Sequence, residues 1–95
     1  MEDVEHRKES RLRADQPVTV RSLGLMRMAP IAGRVLDISG SGLRVWTPNP
    51  IPCGSPVKIE SKQMVMVGEV GRCQADGEGY VVGLMVFHSE PVAAP

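Results

Sequence analysis

No stretch of this chain repeats apolar residues at a helix-length period; short β-prone runs follow one another instead, each cut off by glycine or proline. From Pro17, Val18 and Val20 alternate with Thr19, and the phase shifts near Ser22 toward Leu23 and Leu25, which predicts a bend or bulge. Leu43, Val45 and Thr47 face one way, Arg44 and Trp46 the other. Val57 and Ile59 alternate with Lys58 and Glu60 after "NPIPCGSP", a loop rich in proline and glycine. The runs "MVMVGEVGRC" and "YVVGLMVF" are apolar on both parities, as central strands are, and "ADGEG" between them is a hairpin signal. Runs recurring every 10 to 15 residues or so predict an antiparallel all-β fold, a sandwich or a barrel.

The ends differ from this middle. Residues 1–16, "MEDVEHRKESRLRADQ", hold one Val and one Leu among charges, so they cannot bury an apolar face. We expect a flexible arm there, irregular or part helical, with Asp3/Arg7 and Glu9/Arg13 at a spacing that supports a helical turn. Residues 17–88 then form the β domain, and 89–95, with two prolines, leave the sheet as an irregular tail. A chain of 95 residues suffices for one domain with a modest core.

Charge and composition exclude several functions. Eleven basic residues balance eleven acidic ones, so no overall field draws the chain to nucleic acid or to an anionic membrane. Seven of the eleven basic residues fall in the first 34 positions, so any anion site is local. One Trp, one Tyr and one Phe cannot interleave a basic stripe for single strands, and no DNA or RNA partner is expected. Cys53 and Cys73 lack metal-ligand or redox spacing, and His6 and His88 stand alone. No nucleophile with its base, metal cage or carboxylate pair emerges, so neither an enzyme nor a cofactor is expected. With no apolar run near the roughly 20 residues of a membrane span, and a start unlike a signal peptide, the expected location is the cytoplasm, without membrane insertion.

Two short motifs remain. "DISGSG", Asp37 to Gly42, lies between "GRVL" and "LRVW". Asp and Ser turn back to the main chain and glycine permits positive φ, so a turn between strands accounts for it alone. A dinucleotide loop would need glycine at Val45, and no P-loop lysine follows. "RKESR", Arg7 to Arg11, reads alone as a solvated helical turn. Two arginines so placed can also grip one multiply charged ligand, since guanidinium pairs bidentately with phosphate or with the O6/N7 edge of guanine.

Taken together, the motifs resemble those of the PilZ domain family, bacterial receptors for cyclic di-GMP, which pair an RxxxR arm with (D/N)xSxxG at the start of a strand about 25 residues later. The matching positions are Arg7 and Arg11, then Asp37, Ser39 and Gly42. "GEVGRCQADGEGYVVGLMVF" looks like the family's closing hairpin, so the resemblance covers nearly the whole chain. It implies a small antiparallel six-stranded β-barrel with an N-terminal ligand-gripping arm. It also implies that Arg7 and Arg11 contact phosphate and guanine, that Asp37 accepts from guanine N1–H and the N2 amino group, and that Ser39 adds a hydroxyl. Gly42 would keep the main chain clear of the ligand or hold a conformation with positive φ. His6, Lys8, Arg44 and Trp46 stand beside these positions as flanking candidates; in the family the residue before RxxxR influences whether one or two ligand molecules bind. A receptor of this kind, without an output domain, signals to a downstream protein as its arm orders over the ligand. The alternative is a PilZ-fold adaptor that binds a protein partner without nucleotide.

Overall fold

A computed structural model describes residues 13–25, 28–40 and 42–92, with the main chain alone at Ser39. Six strands, β1 (Pro17–Ser22), β2 (Ile31–Ser39), β3 (Gly42–Thr47), β4 (Pro56–Glu60), β5 (Met64–Asp76) and β6 (Gly79–Pro91), close an antiparallel barrel in the order β1-β2-β3-β6-β5-β4. Of the sandwich and the barrel, the chain forms the barrel, because β1 pairs with both β2 and β4 and leaves no gap between the ends of the sheet.

The two-residue period sets the core. Val18 and Val20 of β1, Val35 of β2, Leu43 and Val45 of β3, Val57 and Ile59 of β4, Met66 and Val70 of β5, and Val82 and Leu84 of β6 point inward. Ile51, from the loop before β4, plugs the same core. Thr47 is the one buried polar residue among those described, and its hydroxyl donates to the Asn49 carbonyl at 2.7 Å, so its burial leaves no unpaired group.

Beyond Ser22 the chain leaves the sheet: β1 ends there, and Leu23 and Leu25 are exposed in the bend that follows. Residues just before β1 are tied down. Asp15 N–H donates to the Val35 carbonyl at 2.6 Å, Val35 N–H to the Gln16 carbonyl at 2.9 Å, and Arg34 reaches both the carbonyl and the carboxylate of Asp15. Gln16 also donates to the side chain of Gln63, the residue before β5. At the other end, β6 continues through Ser89 and Glu90 to Pro91, where the sequence predicts an irregular end. Proline is tolerated there because Val92 N–H bonds the Gln63 carbonyl, which by alternation points the main-chain groups of residue 91 away from β5.

Candidate functional site

The β2–β3 hairpin positions the first pair of side chains. Ser39 pairs with Gly42 across a two-residue connection in which Gly40 takes φ 52°, a conformation glycine adopts without a Cβ clash. Gly42 is already within β3, so the left-handed position of "DISGSG" is Gly40.

Strict alternation along β2 would put Asp37 on the core side with Val35. The register shifts between them: Val35 faces Val45, while Asp37 faces Arg44, with Leu36 as the extra residue. This bulge resets the parity and turns the carboxylate to the outer face. There the Arg44 Nε donates to both carboxylate oxygens, at 3.1 and 3.0 Å, and Nη2 donates to Oδ2. The Arg44 hydrogen bonds hold the Asp37 carboxyl below its ordinary pKa, against a weaker opposing desolvation. Arg44 is in turn raised by the hydrogen bonds to Asp37.

Moving across the sheet, Arg44 faces Gly83 on β6, and Gly83 faces Arg72 on β5. A second register shift, between Val70 and Arg72, turns Arg72 outward just as the first turns Asp37. The outer row therefore reads Asp37, Arg44, Gly83, Arg72 over four neighbouring strands. Gly42, Gly71 and Gly83 contribute no side chains, and the gap they leave is a shallow cavity of about 400 Å³, also lined by Leu43, Leu84 and Met85. That volume lies in the range of small-molecule sites, about 300–1,000 Å³. Arg72 makes no ion pair with any described residue.

Sequence reasoning did not single out Arg72. Its parity matches that of Val70, which alone suggests a core position, but an isolated glycine between them, Gly71, is the signal of a bulge. Asp37, Gly42 and Arg44 line the cavity together, and Ser39 adjoins it through its pairing with Gly42. Trp46 lies outside the cavity; it sits two residues further along β3 and its indole covers Gly79, so closely that a Cβ there would collide with the ring. His6, Arg7, Lys8 and Arg11 lie outside the described residues.

The described residues hold no group of three or more His, Cys, Asp or Glu arranged for a metal ion. Cys53 is exposed and Cys73 half-buried, both as free thiols. No helix among the described residues is long and apolar enough to cross a membrane. What the arrangement offers is recognition: an ionised acceptor held by one arginine, a second guanidinium across a glycine-floored gap, and main chain accessible between them. Comparison with family models gives one result of consequence: the PilZ domain model matches residues 5–93, which includes both the RxxxR and the DxSxxG positions. No curated protein and no solved structure matches the chain.

Proposed function

The chain belongs to the PilZ domain family, whose members are generally cyclic di-GMP receptors, and we propose that it binds this dinucleotide in the cavity between Asp37 and Arg72. The observation that carries the reading is the outer row of β2, β3, β6 and β5, where an oriented carboxylate and a cation flank a floor of glycines. Asp37 accepts from guanine N1–H and the N2 amino group, a donor pair that adenine and uracil do not present in that pattern. Each carboxylate oxygen has more than one lone-pair site, so Asp37 does this while Arg44 still holds it.

Arg7 and Arg11 supply phosphate contacts and stacking or O6/N7 hydrogen bonds, with His6 and Lys8 beside them. The anchoring of Asp15 and Gln16 to Val35 supports this, because it ties the root of the arm two residues from Asp37 along β2. Arg72 provides a cation for phosphate or a guanidinium plane for a base from the opposite side. Ser39 adds a hydroxyl, and Gly42 keeps the main chain clear.

Like PilZ domains in general, the protein acts by binding and not by catalysis. As the arm closes over the ligand, the surface offered to a downstream cytoplasmic protein changes, and the ligand shifts the equilibrium by its preference for the closed arrangement. Leu36, Ile38, Met85 and Phe87 expose apolar area around the site, where such a partner gains contact.

Titration calorimetry tests the reading. Wild-type protein gives saturable heat with cyclic di-GMP, whereas Arg11→Ala and Asp37→Ala give none at the same concentrations. Wild-type affinity in both variants would overturn the site. Absence of heat with the wild-type chain would favour the adaptor that binds protein alone.

A further inference from the structure

One part of the barrel wall is left unpaired. β6 is flanked on both sides only as far as Met85, which faces Gly42; there the β2–β3 hairpin turns back through Gly40. From Val86 to Pro91 the strand, apart from the bulged Phe87, pairs with β5 on one side and with no described residue on the other.

The direction of the main-chain groups along that edge follows from one hydrogen bond. Val92 N–H donates to the Gln63 carbonyl, so this pair is hydrogen-bonded, and in antiparallel strands such pairs alternate with non-hydrogen-bonded ones. Glu90 and His88 therefore direct their N–H and C=O groups to β5. Ser89 directs both of its groups outward to the open side, as Pro91 does its carbonyl.

We propose that this edge is an isologous dimer interface: β6 of a second copy pairs antiparallel with it about a two-fold axis at Ser89. The sequence reads compatibly in both directions from that centre. Ser89 meets Ser89 of the partner subunit and exchanges both main-chain hydrogen bonds. His88 meets Glu90 of the partner subunit, and by symmetry Glu90 meets His88 of the partner subunit. Phe87 is the extra residue where the β5–β6 register shifts between Val67 and Gly68, so the regular pairing with the second copy runs over His88, Ser89 and Glu90.

Donor–acceptor complementarity selects a second copy as the occupant, an imidazole N–H set opposite a carboxylate. His88 and Glu90 lie on one face of the strand, 3.9 Å apart and equally exposed. Cross-strand pairing at the non-hydrogen-bonded position, where side chains lie closest, would extend them into an alternating square of two histidines and two carboxylates. Phe87 and Val92, both exposed in the single chain, flank the paired stretch at its two ends. Pro91 has no N–H to continue the ladder, so the pairing stops there, and an isologous contact is used up at two copies.

Sedimentation equilibrium of the full chain, from micromolar to submillimolar concentration, tests this. The expected result is a reversible monomer–dimer equilibrium, weak because the edge is short. Ser89→Pro removes the central N–H, which does not face β5, and is expected to leave a folded monomer. His88→Glu sets like charges opposite each other twice and weakens the dimer about tenfold. Adding Glu90→Lys to His88→Glu sets opposite charges across from each other and restores the dimer. Circular dichroism of each variant checks the fold; if Ser89→Pro unfolds the barrel, the charge reversal and its rescue decide alone. A wild-type chain monomeric at every concentration would overturn the proposal, as would a dimer whose dissociation constant is unmoved by the charge reversal.

Discussion

The bulges of β2 and β5 do the same geometric work for different chemical ends. At Leu36 the extra residue turns out a carboxylate that is at once engaged by its cross-strand neighbour Arg44. At Gly71 it turns out a guanidinium with no ion-pair partner among the described residues. One side of the cavity is electrically settled and the other is not. A barrel can thus place charges of opposite sign on a single outer row without altering its core, by inserting one residue in each of two strands.

The comparison is broken most severely by removing a bulge. Deleting Gly71 returns Arg72 to core parity beside Val70, and an unpaired charge forced inward costs about 3–5 kcal/mol. Urea unfolding should show that loss. Deleting Leu36 should also destabilise the fold, since Asp37 then shares the inward face of Val35.

Next in size is Gly83→Val. A Cβ at Gly83 meets the nearest Arg72 carbon at 3.6 Å, an ordinary contact, so the barrel tolerates it. Stability should change by less than about 1 kcal/mol. The branched side chain nevertheless fills the gap between the two arginines, and calorimetry should show cyclic di-GMP affinity down by about 100-fold or more.

Arg72→Ala and Arg44→Leu separate the two sides more gently. Each should weaken binding about tenfold, the loss of one charge-assisted contact. Arg72→Ala should leave the urea midpoint unchanged, while Arg44→Leu should also release Asp37. Carboxyl-carbon NMR titration of Asp37 should show its midpoint rising in Arg44→Leu, from the depressed value that the Arg44 hydrogen bonds impose in the wild type.

The smallest effect is on stability in acid. Because the folded Asp37 pKa is depressed by its hydrogen bonds to Arg44, its contribution is fully present above the ordinary carboxylate pKa. It is lost as the pH falls through the folded value. Arg44→Leu should therefore flatten the pH dependence of stability below about pH 4 and leave it unchanged at neutrality.

Much of the fold was legible because alternation is a local signal. Leu43, Val45, Val57 and Ile59 face inward as their spacing predicts, and the family resemblance supplied the closed six-stranded arrangement. Closure itself was not legible in the residues alone, since the β1–β4 pairing joins segments whose patterns do not specify each other. Of the residues that line the cavity, Asp37 and Gly42 belong to the motif and Arg44 lies beside it. Arg72 was missed because its side chain follows the bulge and not the parity, and a glycine in a strand signals a bulge without naming the residue it turns. The end of β6 was missed for a related reason: proline suggests a strand's end unless its missing N–H faces an open edge.

The fastening of Asp15 and Gln16 to Val35 has a thermodynamic consequence. Arg11 lies five residues before Gln16, so even fully extended chain keeps it within about 18 Å of that anchor. If Asp37 holds the ligand as proposed, its encounter with Arg11 is intramolecular, at an effective concentration on the order of millimolar. On that reading, lengthening the segment between Arg11 and Gln16 should dilute that concentration and weaken binding without removing any group that touches the ligand.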